Sequence, residues 1–257
     1  MNRNRIRTAT LIAALAISAT ACGNNDLPRT NAPVKTAGPN TTATGAPVTP
    51  TAVPSPGDTE AASDPFYGIE LTPFTGAAAD QFGADRVMEA YKHFVRFEST
   101  LGWNGTLASK RAEQVRDIDF SFVEKYMTPA GYAAWQQNVT TRATNEDSQR
   151  NLLALVAYGL SNDEFVAKTD PLVTNQVIDG PAVTDVDTIG TQKRLVMTFT
   201  LKAEVRGKFN GKDIRSPLTR RITFWAVPGG QPDVPWLIDA WEGTLTTSDT
   251  LIPDEPK

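Results

Sequence analysis

Between residues 80 and 101, apolar side chains recur at three- and four-residue steps. They are Ala84, Val87, Met88, Tyr91, Phe94 and Val95, and Glu98 extends the same stripe. Asp85, Glu89, Lys92 and Arg96 fall mainly on the other side. This spacing predicts an amphipathic helix over 80–101, closed by Gly102. A short helix is predicted over 117–127, with Asp117 and Asp119 as cap candidates. Thr128 and Pro129 form a start signal, a hydroxyl N-cap followed by proline at the first helical position. The helix they open should bury Tyr132 and Trp135. Leu152, Leu153, Leu155, Val156 and Leu160 mark another helical patch within 147–166.

The period then drops to two. Residues 172–179 and 183–189 are rich in β-branched side chains and are separated by Gly180-Pro181. Leu195, Met197, Phe199, Leu201, Ala203 and Val205 alternate with Val196, Thr198, Thr200, Lys202, Glu204 and Arg206, which reads as a long half-buried strand. Asn210-Gly211 is the strongest short hairpin signal. It leads into a second strand over 218–227. A pause at 228–232 precedes a last strand over 236–245. Helices first and an antiparallel meander afterwards predict an α+β domain.

This order resembles the nuclear-transport-factor-2-like (NTF2-like) superfamily, in which a cone is made by helices packed on a curved antiparallel sheet. The resemblance covers residues 80–247. It rests on the long first helix, the segment around Tyr132 and Trp135, and the closing strand Trp236-Leu237-Ile238-Asp239. The chain as a whole resembles a bacterial, actinobacterial-type lipoprotein carrying an NTF2-like domain of the SnoaL- or Mce-associated-like kind. The resemblance implies a cone interior that can hold an apolar ligand, and pairing through the sheets as a homodimer. Enzymes of this group use an Asp/His pair or an Asp base at the cone mouth.

The segment before the domain is different in kind. Arg3, Arg5 and Arg7 precede an apolar run over 8–18, and Ala19-Thr20-Ala21 supplies small residues. This is the layout of a secretory signal over residues 1–21, too short to span a bilayer. Cys22 follows at once. Small residues before such a cysteine resemble the lipobox of bacterial lipoproteins, although Ala19 stands where leucine is commonest. The resemblance implies a diacylglyceryl group on the Cys22 thiol, cleavage before Cys22, and acylation of the new N-terminus by a palmitate-type chain. Acyl chains contribute about 0.8 kcal/mol per buried methylene, enough to hold the chain on a membrane surface. The expected location is the extracytoplasmic face of the cell membrane.

Residues 22–64 then read as the lipidated cysteine and a disordered tether. From 23 to 64 there is no Phe, Trp, Tyr, Ile or Met, and Thr, Pro and Ala dominate. Such a segment buries too little apolar surface to offset its ordering entropy. Its root-mean-square reach is on the order of 35 Å. Phe66, Tyr67, Ile69, Leu71 and Phe74 open the single globular domain, 65–257.

Composition narrows the chemistry. The 257 residues carry one cysteine and one histidine, so an internal disulfide, a Cys-rich zinc site and a multi-histidine metal site are excluded. The net charge of -4 becomes -7 once three arginines leave with the signal, which argues against nucleic acid. His93 is flanked by Tyr91 and Phe94 on the first helix. Asp239 and Glu242 lie three apart on a strand and so point to opposite faces. Gly229-Gly230 lacks a following helix and is a turn, not a phosphate loop. Lys208, Lys212, Arg215, Arg220 and Arg221 read as charge on exposed strands.

No catalytic set, metal or cofactor emerges. Trp135, Phe199, Trp225, Trp236 and Trp241 are the ligand-binding candidates, residues that serve equally well in a closed core. The expected function is a non-enzymatic binding or assembly module of the cell envelope. Its partners would be the bilayer through acylated Cys22, and an envelope protein or small apolar ligand. The alternative is an isomerase or hydrolase of the same fold using Asp239 or His93.

Overall fold

A computed structural model describes residues 48–50, 65–66, 69–169, 171–248 and 250–254. All of them fall in the compact unit spanning residues 43–257. The signal, Cys22 and most of the tether lie outside the described residues.

The architecture is α+β, with helices in the first half and an antiparallel sheet in the second. The predicted first helix is two helices, α1 (Ala77–Phe82) and α2 (Ala84–Thr100). Gly83 separates them at φ 88°, a conformation that costs a residue with a Cβ but not glycine. A 3-10 turn (Leu101–Trp103) and the short α3 (Gly105–Ala108) follow. The segment Asp117–Tyr126 is a 3-10 helix rather than an α-helix. Helix α4 (Pro129–Thr141) begins as its residues predict, with the Thr128 hydroxyl accepting from Gly131 N–H at 3.0 Å. Helix α5 (Glu146–Leu155) stops well short of 166, because Val156 is already extended.

One stretch of the tether is structured. Strand β1 (Val48–Pro50) pairs antiparallel with β2 (Ile69–Leu71). The remaining strands build one sheet. Strands β3 (Phe165–Ala167), β4 (Val173–Ile178) and β5 (Val183–Ile189) all pair with β6 (Gln192–Phe209). They lie end to end along it as one interrupted edge strand. Strand β7 (Lys212–Gln231) follows through the Asn210-Gly211 turn, with both residues at positive φ as the two-residue hairpin requires. Strand β8 (Val234–Thr247) closes the meander, and β9 (Ile252–Pro253) returns to pair with the start of β7. The pause expected at 228–232 is mostly strand. The β7–β8 turn is Pro232-Asp233, and the irregularity at 228–231 is absorbed as a bulge.

Alternation sorts the sheet into two faces. Leu195, Met197, Phe199 and Leu201 on β6 are buried with Leu218, Ile222, Phe224 and Ala226 on β7. This face carries the helices. Phe94 of α2 stacks on Phe224 at 4.6 Å, and Tyr91 meets Phe199 edge-on at 6.0 Å. The opposite face bears Thr198, Thr223, Arg221 and Glu242. Edge strand β5 is blunted by its own side chains: Asp185 and Asp187 accept from the backbone N–H groups of Val186 and Thr188. Donors occupied in this way cannot template another strand.

Candidate functional site

Four of the five aromatic candidates belong to one packed core. Trp135, Phe199, Trp236 and Trp241 are all buried there. Trp135 donates its indole N–H to Phe120 O at 3.2 Å, and Trp241 donates to Asn151 O at 2.8 Å. The two indoles lie 5.6 Å apart. Their polar edges are thus committed to backbone carbonyls of neighbouring segments, which fixes the rings as packing elements. Trp236 is fully buried, with Phe82 edge-on at 5.4 Å and Arg86 over its ring at 5.7 Å. Trp225 is separate. It is half-buried on the opposite face of the sheet, between Val196 on β6 and Ala240 on β8.

Asp239 sits at a β-bulge. Trp225 pairs with Ala240 and Ala226 with Ile238, so Asp239 is the extra residue. The bulge lets Ile238 and Trp241 both face the core although their spacing is odd. No single inward–outward alternation therefore runs along the whole of β8. The carboxylate accepts from the Thr128 hydroxyl at 2.7 Å and from Arg194 Nη1 at 2.9 Å. Arg194, only 4% exposed, also pairs with Asp187. Backbone joins in: Thr128 N–H donates to Ile238 O at 2.9 Å. The start of α4 is therefore riveted to the bulge, and both Asp239 oxygens are engaged.

His93 lies elsewhere. It lines an open groove of about 600 Å³ with Asp85, Met88, Glu89, Lys92 and Arg96 on α2, and Pro232, Asp233 and Pro235 at the β7–β8 turn. Its ring contacts Phe94 at 5.3 Å and Tyr126 at 6.2 Å. No hydrogen bond links His93 to Asp239 among the described residues. Burial lowers the imidazole from its ordinary 6.5 to about 4. The folded state thus disfavours the charged ring, and the stability this gives is complete above pH 6.5. It is lost as pH falls from 6.5 through 4. The full shift corresponds to about 3 kcal/mol, and partial exposure of the ring reduces the expected loss to about 1 kcal/mol. Urea midpoints measured from pH 7 to pH 4 should fall less steeply for His93→Gln than for the parent chain. Parallel profiles would show that the ring charges without hindrance.

A buried ion pair joins α2 to β7. Glu98 and Arg220 are both fully buried and bonded to each other. Arg220 also donates to Gly102 O at 3.1 Å, and its guanidinium lies 4.0 Å from the Trp103 ring centroid. Burial pushes the Glu98 carboxyl above its ordinary value against the pull of Arg220, and lowers Arg220 for the same reason. This corrects the reading of Arg220 as an exposed charge. Glu98 on an otherwise apolar helical stripe was the signal for it. A second correction concerns Arg215, which pairs with Glu204 at 2.6 Å. Arg221 is exposed as expected. It lines a polar groove of about 360 Å³ with Arg150, Thr223 and Glu242.

Among the described residues, no group of His, Cys, Asp or Glu is placed to hold a metal ion. No described helix is long and apolar enough to cross a membrane. Fold and sites together define an α+β protein whose sheet is covered by helices on one face. No protein-family model, curated protein or solved structure matches the chain.

Proposed function

We propose that this chain is a lipoprotein, exported and acylated at Cys22, whose NTF2-like domain acts as a non-enzymatic binding or assembly module on the outer face of the cell membrane. The anchor rests on the sequence: a positive n-region, a short apolar run, small residues and then the lone cysteine. The cone rests on the element order, with α2 laid against a long antiparallel meander. The module reading is carried by one observation. The aromatics that would line a substrate pocket are buried in the core instead: Trp135 lies against Trp241, Phe199 against Tyr91 and Phe224, and Trp236 against Phe82. The two side chains of the enzymatic alternative do not support each other. Asp239 is tied to Thr128 and Arg194, and His93 lines a groove remote in composition from it.

Cell fractionation tests the anchor. The parent chain should sediment with membranes, and Cys22→Ala should move to the soluble fraction. Unchanged membrane retention of the variant would sink lipidation. Cross-linking on intact cells tests the module. A discrete adduct with an envelope protein is expected, and a chain recovered only as monomer at every cross-linker length would count against assembly.

A further inference from the structure

Strand β8 leaves the start of β7 uncovered. Its last ladder pair is Thr247 with Leu218, and Ser248 N–H still reaches Pro217 O at 2.9 Å. Beyond that point, among the described residues, Ile252 opposite Arg215 and Pro253 opposite Ile214 fill the edge. Asp254 follows, its N–H donating to Asp213 O at 3.1 Å. The Asp254 side chain is 14% exposed and enters a cluster of cations from three different strands or strand ends. Arg206 Nε donates to Oδ2 at 3.0 Å, Lys168 Nζ to the same oxygen at 3.3 Å, and Arg215 Nε stands 3.6 Å from Oδ1. Lys168 also meets Asp213 at 3.1 Å, and Arg215 meets Glu204 at 2.6 Å. Without Asp254 the cluster would hold three cations against two carboxylates.

We propose that the β7 edge at 212–217, together with Lys168, Arg206 and Arg215, is a docking site for an extended acidic peptide segment of a partner protein, occupied here in cis by Ile252–Asp254. The two halves of the site read different things. The open strand edge offers main-chain hydrogen bonds, which supply affinity to any extended chain. The three cations demand a carboxylate at one fixed register position, which supplies specificity. The occupant on view has that chemistry: an aliphatic residue two positions before an aspartate. The attachment is slight enough to be exchanged: among the described residues it consists of two ladder pairs, the Asp254 N–H bond and the Asp254 side chain. The Asp254 carboxyl lies below the usual carboxylate range: burial raises it, but the hydrogen bonds from Arg206 and Lys168 outweigh that. A carboxylate held this way competes with a free peptide at an effective concentration on the order of millimolar. The intact chain is therefore masked against weak ligands. The site gives the proposed module a partner class, but it is tested without the membrane, so either reading can fail alone.

The probe is a labelled peptide with the sequence of residues 250–257, followed by fluorescence anisotropy on the full-length chain. Asp254→Asn in the protein should raise peptide affinity at least about tenfold, and truncation after Ser248 should do the same or more. The peptide carrying Asn in place of its aspartate should bind about tenfold more weakly than the parent peptide. Arg206→Gln in the truncated chain should cause a similar loss. If truncation unfolds the domain, the Asp254→Asn chain carries the test alone. Absence of a gain in that chain, or equal binding of the Asp and Asn peptides, would overturn the proposal and leave the cluster as a latch. A dimer formed by exchanging this segment between two copies, with no uptake of free peptide, would also overturn it.

Discussion

Glu98→Leu alone should destabilise the domain by about 3–5 kcal/mol, and adding Arg220→Met should restore most of that loss. The single change leaves a guanidinium in a site from which water is excluded. Its remaining partners are the Gly102 carbonyl and the Trp103 ring. Neither neutralises the charge. The double change removes both desolvation penalties and keeps apolar volume between α2 and β7, so burial of methylenes then works for stability. A buried pair is weak evidence for stability in itself, and its worth lies in what happens when it is broken. Urea titrations of the two single variants and the double variant form a cycle. Additive losses would mean that the two side chains do not act as a unit. Gly102 belongs to the same device. A Cβ there would lie 2.4 Å from Arg220 Nη1 and 2.7 Å from the Glu98 carboxylate, so glycine at this turn is what lets the pair close.

Gly131→Ala should cost about 2 kcal/mol, although it improves helix propensity. In the interior of an exposed helix the exchange would gain about 1 kcal/mol. Here a Cβ would lie 2.4 Å from Ile238 O and 3.1 Å from Asp239 O, both backbone atoms of the bulge. Backbone on both sides cannot rotate away, so the helix must lift. Overpacking of this kind costs about 1–3 kcal/mol, and lifting also strains the bonds from Thr128 to Ile238 and Asp239. The check is the thermal midpoint of Gly131→Ala against the parent. A rise in the midpoint would show that α4 is not seated on β8 as closely as 2.4 Å implies.

Much of the fold was legible because its causes are local. The Thr128-Pro129 start needs only the next few residues, and the hydroxyl does cap Gly131. The Asn210-Gly211 hairpin needs only two residues willing to take positive φ. The alternation of β6 is a property of one strand, and every residue predicted to face the core does so. Where local signals were weak, boundaries moved. Gly83 interrupts a stripe that periodicity alone carries straight through, because apolar spacing does not record backbone φ. Residues 156–166 keep an apolar pattern after α5 has ended, since buried extended chain and buried helix look alike over short runs.

The candidate sites depended on partners far away in the chain. Glu98 and Arg220 are 122 positions apart, and no spacing rule connects them. The face taken by Asp239 was undecidable from β8, because one extra residue opposite β7 changes the parity partway along. Core and cavity aromatics are chemically the same residues, and only packing tells them apart. By itself the sequence determined the helices-before-strands order, the hairpin and the helix start. All of these follow from composition, period or turn chemistry within a few residues. Tertiary structure alone decided which aromatics meet, where charge is buried and which edge of β7 a returning segment fills. Those outcomes depend on register between strands, and register is set by the whole sheet at once.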